Sequence, residues 1–551
     1  MNKLILVFTC LLLAIPCQAK VIYVDADGGA DYKTIQAAID DANDGDTVLV
    51  ADGTYHGDGN RDIDFKGKAI TLRSKNGPGK CIIDCQHSGG GFYFHSGEDK
   101  NSVLEGFTIV DGSGGGGGAM TVHHSSPLLF NCKFINNAGG GGGAIWVYGS
   151  SSIILINCTF SGNSIGCEGG GGIYNDGNGE DSRPTLIGCT FNGNSAAYGG
   201  GAMYNSLTNV TVVNCTFSGN WTNVGGAIEN QSGNLTLTNC VFSGNSATWW
   251  GGGLHSVRSN LILTNCTFSG NSAPDGNAIA CCWDWGWYPS NIELDNCILW
   301  DSGSEIYNTD GSTITIIYSN VQGGWLGKGN IDADPCFVEA DSNDYHLLPE
   351  SPCINAGDPN YVAEPNETDL DGRPRVIDDR IDMGAYEFSV QPIELPMKFT
   401  PQALNCNSKG KWVKAHFVLP AEFTVGDVDA NRPAKVEPLG IESHHIDVFI
   451  NEDGLVEIEV AFERGAFCDA AGCGSIEITV VGLLTNGQYF YGTDTIKIIK
   501  NSFECLAILS SHWLEMNCGK PDWCNGFDAD RDTTVNLKDF ALMAFHWLEE
   551  I

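Results

Sequence analysis

The sequence predicts a mainly β chain whose body is a right-handed parallel β-helix, and three observations carry that prediction. Between residues 131 and 300 a cysteine recurs at positions 132, 158, 189, 215, 240, 266 and 297, spaced by 26, 31, 26, 25, 26 and 31 residues. A phenylalanine follows two residues after each cysteine but the last, where Leu299 stands, and Gly-Gly plus a small or apolar residue recurs between copies, as in Gly201-Ala202-Met203. The apolar residues alternate with period two, as in Leu235-Thr236-Leu237, amid Gly, Asn, Ser and Thr that disfavour helix.

Each coil therefore comprises short strands, and residues two apart share a face. Stacking the coils lines the interior with a cysteine column and a phenylalanine column. Vertically stacked cysteines have parallel Cβ vectors, which strain a disulfide, so reduced thiols acting as small apolar groups are expected. Asn163, Asn194, Asn220, Asn245 and Asn271, three residues after each phenylalanine, are expected at the turn, in left-handed geometry and bonded to the coils above and below. An open parallel stack needs covered ends. Ile35, Ala38, Ile39 and Ala42 at i, i+3, i+4 and i+7 predict a short amphipathic helix over 34–43, capping the first coil before a strand at Thr47–Val50.

The first 19 residues hold Lys3, an apolar run over 4–15 and Cys17-Gln18-Ala19, and are expected to be a secretory signal peptide. No later stretch has the roughly 18 apolar residues of a membrane span. Of 22 cysteines, 20 follow this segment. The formal net charge of -38 excludes a nucleic-acid partner, whose phosphates require Lys and Arg.

Between residues 101 and 300 the basic residues are Lys133, Arg183 and Arg258 alone, so a groove for anionic sugars has little positive charge. Glu168, Asp176, Glu180 and Asp181 crowd one of the two longer coils and are read as a solvated loop, an acid/base pair being the sharper alternative. His123-His124 is read as a surface turn. The other longer coil is rich in tryptophan, and Trp249, Trp250, Trp283, Trp285 and Trp287 are the candidate ligand-binding residues, since indoles stack on apolar sugar faces.

From residue 389 the glycine-rich repeat stops. Alternating segments such as Trp412–Val418 and Val456-Glu457-Ile458-Glu459-Val460 predict an immunoglobulin-like β-sandwich over 389–500, with Cys468 and Cys473 bridging a hairpin. In the last segment, 501–551, Asp528, Asp530, Asp532, Asn536 and Asp539 occupy positions 1, 3, 5, 9 and 12 of a calcium loop, with the Thr534 carbonyl at 7. Position 12 is Asp and position 6 is Thr533, unlike a standard EF-hand.

Several segments resemble known families. Val21-Ile22-Tyr23-Val24, Asp31-Tyr32-Lys33-Thr34-Ile35-Gln36 and Gly53-Thr54-Tyr55 resemble the N-terminal cap of pectin-lyase-like β-helix proteins. The Gly-Gly-apolar and Phe-x-x-Asn repeats resemble those of polymorphic outer-membrane proteins, which serve as adhesins. Ser351-Pro352-Cys353-Ile354-Asn355-Ala356-Gly357-Asp358, Asp369-Leu370-Asp371-Gly372-Arg373-Pro374-Arg375 and Asp382-Met383-Gly384-Ala385-Tyr386-Glu387 are similar to the choice-of-anchor Q type segment that closes many such helices. Together these imply a β-helix over 20–388. Asn308-Thr309-Asp310-Gly311 matches one polygalacturonase element, but its companion elements do not follow, and it is read as a turn.

The tail resembles a type I dockerin. A helix over 540–549 follows the loop, and 506–515 repeats it at an offset of 34, although Asp494, Ile496, Ile498, Ser502 and Cys505 stand where a second loop would need ligands. One calcium and a cohesin-like partner are what the resemblance implies. The resulting expectation is a secreted modular protein whose β-helix binds a polysaccharide or cell-surface ligand and whose tail attaches it through calcium. A lyase or glycoside hydrolase of the pectin-lyase-like fold, and an adhesin, are the alternatives.

Overall fold

A computed structural model describes residues 19–500 except 283–288, 366, 378–379, 389–392, 407, 409, 422, 473 and 486–487. The chain divides into two compact units, 1–388 and 389–551.

The first unit is a parallel β-helix. Its coils contribute successive strands to three long parallel sheets of 12, 10 and 11 strands, and four coils add a short fourth sheet. One coil shows the pattern: Val210–Val213 lies in the first sheet, Thr216–Ser218 in the third, Trp221–Val224 in the fourth and Ile228–Gln231 in the second. Register between coils is direct, Phe217 pairing with Phe191 and Phe242.

The interior is the one the repeat implies. Cys132, Cys158, Cys189, Cys215, Cys240, Cys266 and Cys297 are buried, reduced thiols. Phe134, Phe160, Phe191, Phe217, Phe242 and Phe268 form a continuous stack with centroids 4.4–4.9 Å apart. Each ladder asparagine accepts, at its side-chain oxygen, the backbone N–H and side-chain NH2 of the asparagine one coil earlier: Asn194 donates both to Asn220 Oδ1 at 3.0 Å.

The left-handed turns fall elsewhere than expected. The ladder asparagines do not have positive φ. That geometry belongs to the asparagine before each cysteine (Asn131, Asn157, Asn214, Asn239, Asn265 and Asn296, φ 51–56°), or to Gly188 in the one coil that lacks it. The ladder position is instead a fully buried hydrogen-bonding post, and the residue before it, such as Gly193 or Gly219, takes the positive φ. The glycine pairs mark a corner where neighbouring coils touch through their backbones. A Cβ on Gly226 would lie 2.0 Å from the Gly252 carbonyl oxygen.

At its last rung the ladder ends on Asp301, whose Oδ1 accepts both donors of Asn271 at 2.7 and 2.9 Å. Asp301 and Glu305 are both buried, and burial with mutual repulsion raises Asp301 well above the usual carboxylate range; burial raises Glu305 too. A raised carboxyl contributes stability that is complete below its unfolded pKa, about 4, and is lost as pH rises through the higher folded value. Asp301→Asn offers the same acceptor plus a donor toward Glu305. Stability of the wild type relative to Asp301→Asn is therefore expected to fall as pH rises from 4 through neutrality in pH-dependent urea unfolding; a parallel pH dependence for the two would refute it.

The amphipathic helix is Ile35–Asp41, with Ile35, Ala38 and Ile39 buried over the first coil. Residues 350–388 form a strap along the corner between the first and third sheets. Asn239 donates to the Thr368 carbonyl (2.8 Å), Asp358 N–H to Asn296 Oδ1 (2.6 Å) and Ala385 N–H to Thr267 Oγ1 (3.0 Å). Within the strap, Arg375 and Glu387 form a fully buried ion pair at 3.1 Å.

The second unit packs a six-stranded and a four-stranded sheet around one core that includes Phe399, Phe417, Val460, Val480 and Phe490. The expected Cys468–Cys473 bridge is not formed. Cys468 bonds to Cys406, 62 residues away, with Cα atoms 5.7 Å apart. Cys468 lies on the helix Arg464–Ala470, which the strand-only reading of this region did not anticipate, and the helix carries its thiol to the end of Ala403–Asn405. No helix among the described residues is long and apolar enough to cross a membrane. The calcium-loop residues Asp528, Asp530, Asp532, Thr534, Asn536 and Asp539 lie outside the described residues.

Candidate functional site

Period-two alternation in the second sheet buries Ile145, Ile173, Met203, Ile228 and Leu254 inward and turns the residue after each outward. Parallel register then aligns Tyr93, Thr121, Trp146, Tyr174, Tyr204, Glu229 and His255 in one outward column. A second column, two residues on, holds His123, Tyr148, Asp176, Ser206 and Gln231. The rings interact along and across the columns: Tyr174 stacks on Tyr204 (5.0 Å), His123 on Tyr148 (5.1 Å), and Trp146 tilts against Tyr148 (5.2 Å).

Two walls flank this face. The fourth sheet supplies Glu168, Tyr198, Trp249 and Trp250, with Tyr198 5.7 Å from Trp249 and Trp250 6.0 Å from His255. On the other side, the long coil inserts 177–183, whose Asn178 donates to the Tyr148 hydroxyl at 3.0 Å and whose Glu180 accepts the Ser150 N–H at 3.0 Å beside His124.

At the centre the polar groups converge. The Tyr204 hydroxyl lies 3.1 Å from Glu168 Oε1 and 2.9 Å from Gln231 Oε1. Burial, then the Glu229 and Glu168 carboxylates, push this phenol upward, and Tyr174 rises for the same reason with Asp176 and Glu168 beside it. Both tyrosines therefore stay neutral donors. His255 is fully buried; its Nε2 is 2.9 Å from the Cys282 carbonyl, which can only accept, so Nε2 carries a proton. Its Nδ1 has no hydrogen-bond partner and faces Glu229 Oε1 at 3.5 Å. A centre with an imidazole, a phenol and carboxylates can serve acid/base chemistry as well as hydrogen-bond a ligand.

Trp249 and Trp250 stand on the cleft wall, Trp249 43 % exposed. Trp283, Trp285 and Trp287 lie outside the described residues. The acidic group is dispersed: Glu168 reaches the cleft centre and Asp176 its outward column, while Glu180 serves the loop and Asp181 pairs with Arg183 at 2.8 Å. His124 does occupy a left-handed turn, but His123 is on the sheet face. Asn308 and Asp310 make a turn, both bonding Ser312. Among the described residues no group of three or more His, Cys, Asp or Glu could hold a metal. Trp146, Tyr174, Tyr204, Glu229 and His255 were not legible as a site, although aligning the residue three after Gly143, Gly171, Gly201, Gly226 and Gly252 would have exposed the column.

Residues 49–203 and 141–321 match the family described as right handed beta helix region. No match is found among the curated proteins. Similar solved structures include pectate lyase Pel9A (16 % identity over 67 % of this chain and 96 % of that one, TM-score 0.37). Pectin methylesterase from carrot is 11 % identical over 54 % of this chain and 87 % of its own (TM-score 0.27). The PL6 family alginate lyase AlyGC is 13 % identical over 69 % and 61 % (TM-score 0.33).

Proposed function

We propose, with the right-handed β-helix as premise, that the outward face of its second sheet binds a polysaccharide laid along the helix axis. The observation that supports this reading best is the run of half-buried Trp146 and Tyr174 on successive coils, next to the buried Tyr204 and walled by Tyr198, Trp249 and Trp250. Aromatic rings present apolar area beside polar hydroxyl and carboxyl groups, the combination a sugar ring needs. Affinity electrophoresis of the full chain against a polysaccharide panel should show retardation by at least one polymer. Trp146→Ala and Tyr174→Ala should each weaken it about tenfold or more, some 1.4 kcal/mol; unchanged retardation in both would remove this face from the ligand's path.

The Glu229–His255 pair and the Tyr204 hydroxyl favour a second reading, cleavage of the bound chain by a lyase or glycoside hydrolase. New reducing ends that disappear in Glu229→Gln would support it, and binding without turnover across the panel would leave the face a binding platform.

In the same reading the protein is secreted, with the second unit an immunoglobulin-like spacer. Its 501–551 tail is a dockerin-like module that holds one calcium through Asp528, Asp530, Asp532, Thr534, Asn536 and Asp539 and attaches to a cohesin-like partner. Titration calorimetry of the full chain should find one calcium site that Asp530→Ala abolishes; absence of any heat would end the calcium assignment.

A further inference from the structure

We infer that the cleft on the second sheet accepts glycans without anionic groups and rejects uronates. This deepens the polysaccharide reading above and rests on it, and of the two cleavage reactions it admits only hydrolysis, since elimination needs a uronate. The described strands of the second and fourth sheets carry no Lys or Arg. They do carry Asp64, Asp176 and Glu229 on one and Glu168 on the other, with Glu180 on the adjoining wall. None of the three basic residues of this stretch of chain lies on these strands, and the one on the 177–183 wall, Arg183, is held by Asp181. Lys133 is on the third sheet, and Arg258 sits at the left-handed turn after Leu254–Val257.

A carboxylated sugar in the cleft would therefore meet the like charge of exposed Glu168, with the Glu229 carboxyl buried beneath the face, where Coulomb repulsion is only partly screened. Among the described residues no group of three His, Cys, Asp or Glu could hold a divalent ion ahead of the ligand. An uncharged sugar meets no such barrier. Its hydroxyls can donate to the Glu168 and Gln231 oxygens that already receive the Tyr204 hydroxyl, and its C–H faces can lie on Trp146, Tyr174 and Trp249.

The test uses the full chain in affinity electrophoresis, with mannan, xylan and mixed-linkage β-glucan as uncharged probes and polygalacturonate and alginate as uronates, each with and without calcium. The expected result is retardation by at least one uncharged polymer, lost in Trp146→Ala, with the uronates at least about tenfold weaker. Glu168→Lys should narrow that gap. Tighter uronate binding that Trp146→Ala still removes would overturn the inference and leave the cleft assignment standing. No retardation by any probe, or retardation that Trp146→Ala leaves intact, would overturn both.

Discussion

Asn220→Ala is expected to destabilise the β-helix by about 3–6 kcal/mol, because it removes one rung from a ladder whose members are all buried. Asn220 Oδ1 accepts the Asn194 backbone N–H and side-chain NH2, and its own NH2 donates to the Phe191 carbonyl and to Asn245 Oδ1. Alanine leaves the Asn194 N–H and one Asn194 amide hydrogen without partners where water cannot reach, and each orphan costs about 1–3 kcal/mol. The side chain also leaves a void beside the phenylalanine stack. Aspartate would be no substitute, since it keeps the acceptor but opposes Asn245 Oδ1 and the Phe191 carbonyl with a charge. Urea unfolding followed by near-UV circular dichroism reads the loss; a change below about 1 kcal/mol would mean that the ladder does not hold the coils together.

Arg375→Met is expected to cost about 3–5 kcal/mol, the range for removing one partner of a buried ion pair. Both side chains are fully buried, and the guanidinium also donates to the Gly384 carbonyl at 3.1 Å. Burial pushes Glu387 upward, and the adjacent Arg375 opposes that push. Without Arg375 the carboxyl must desolvate alone or take a proton, and the strap over 350–388 loses its anchor. The double variant Arg375→Met/Glu387→Leu should recover most of the loss, since a packed apolar pair leaves no buried charge. A single variant as stable as the double would show that the pair does not organise the strap.

The fold was largely legible because its cause is periodic. The cysteine and phenylalanine columns follow from residues two apart sharing a strand face, and the structure places both columns where that rule puts them. The strap was not legible as a brace, because Asn296 and Thr267 lie 62 and 118 residues from the strap residues that bond them. The disulfide failed for a related reason: proximity in sequence suggested Cys473, whereas a short helix turns Cys468 toward Cys406.

The site was half legible. Tryptophan richness singled out Trp249 and Trp250, and the structure places both on a fourth-sheet strand beside the second sheet. Tyr204, Glu229 and His255 gave no such signal, because each is an ordinary residue in its own coil and acquires meaning only beside its neighbours.

By itself the sequence determined the coil length, the inward columns and the corners that admit only glycine, because these depend on local backbone geometry repeated at a fixed period. Only the tertiary structure decided which outward residues meet. Coils of 25, 26 and 31 residues absorb their differences in loops, so register between outward side chains is set by strand pairing and not by sequence distance. That pairing brings Trp146, Tyr174, Tyr204, Glu229 and His255 into one line from positions 109 residues apart.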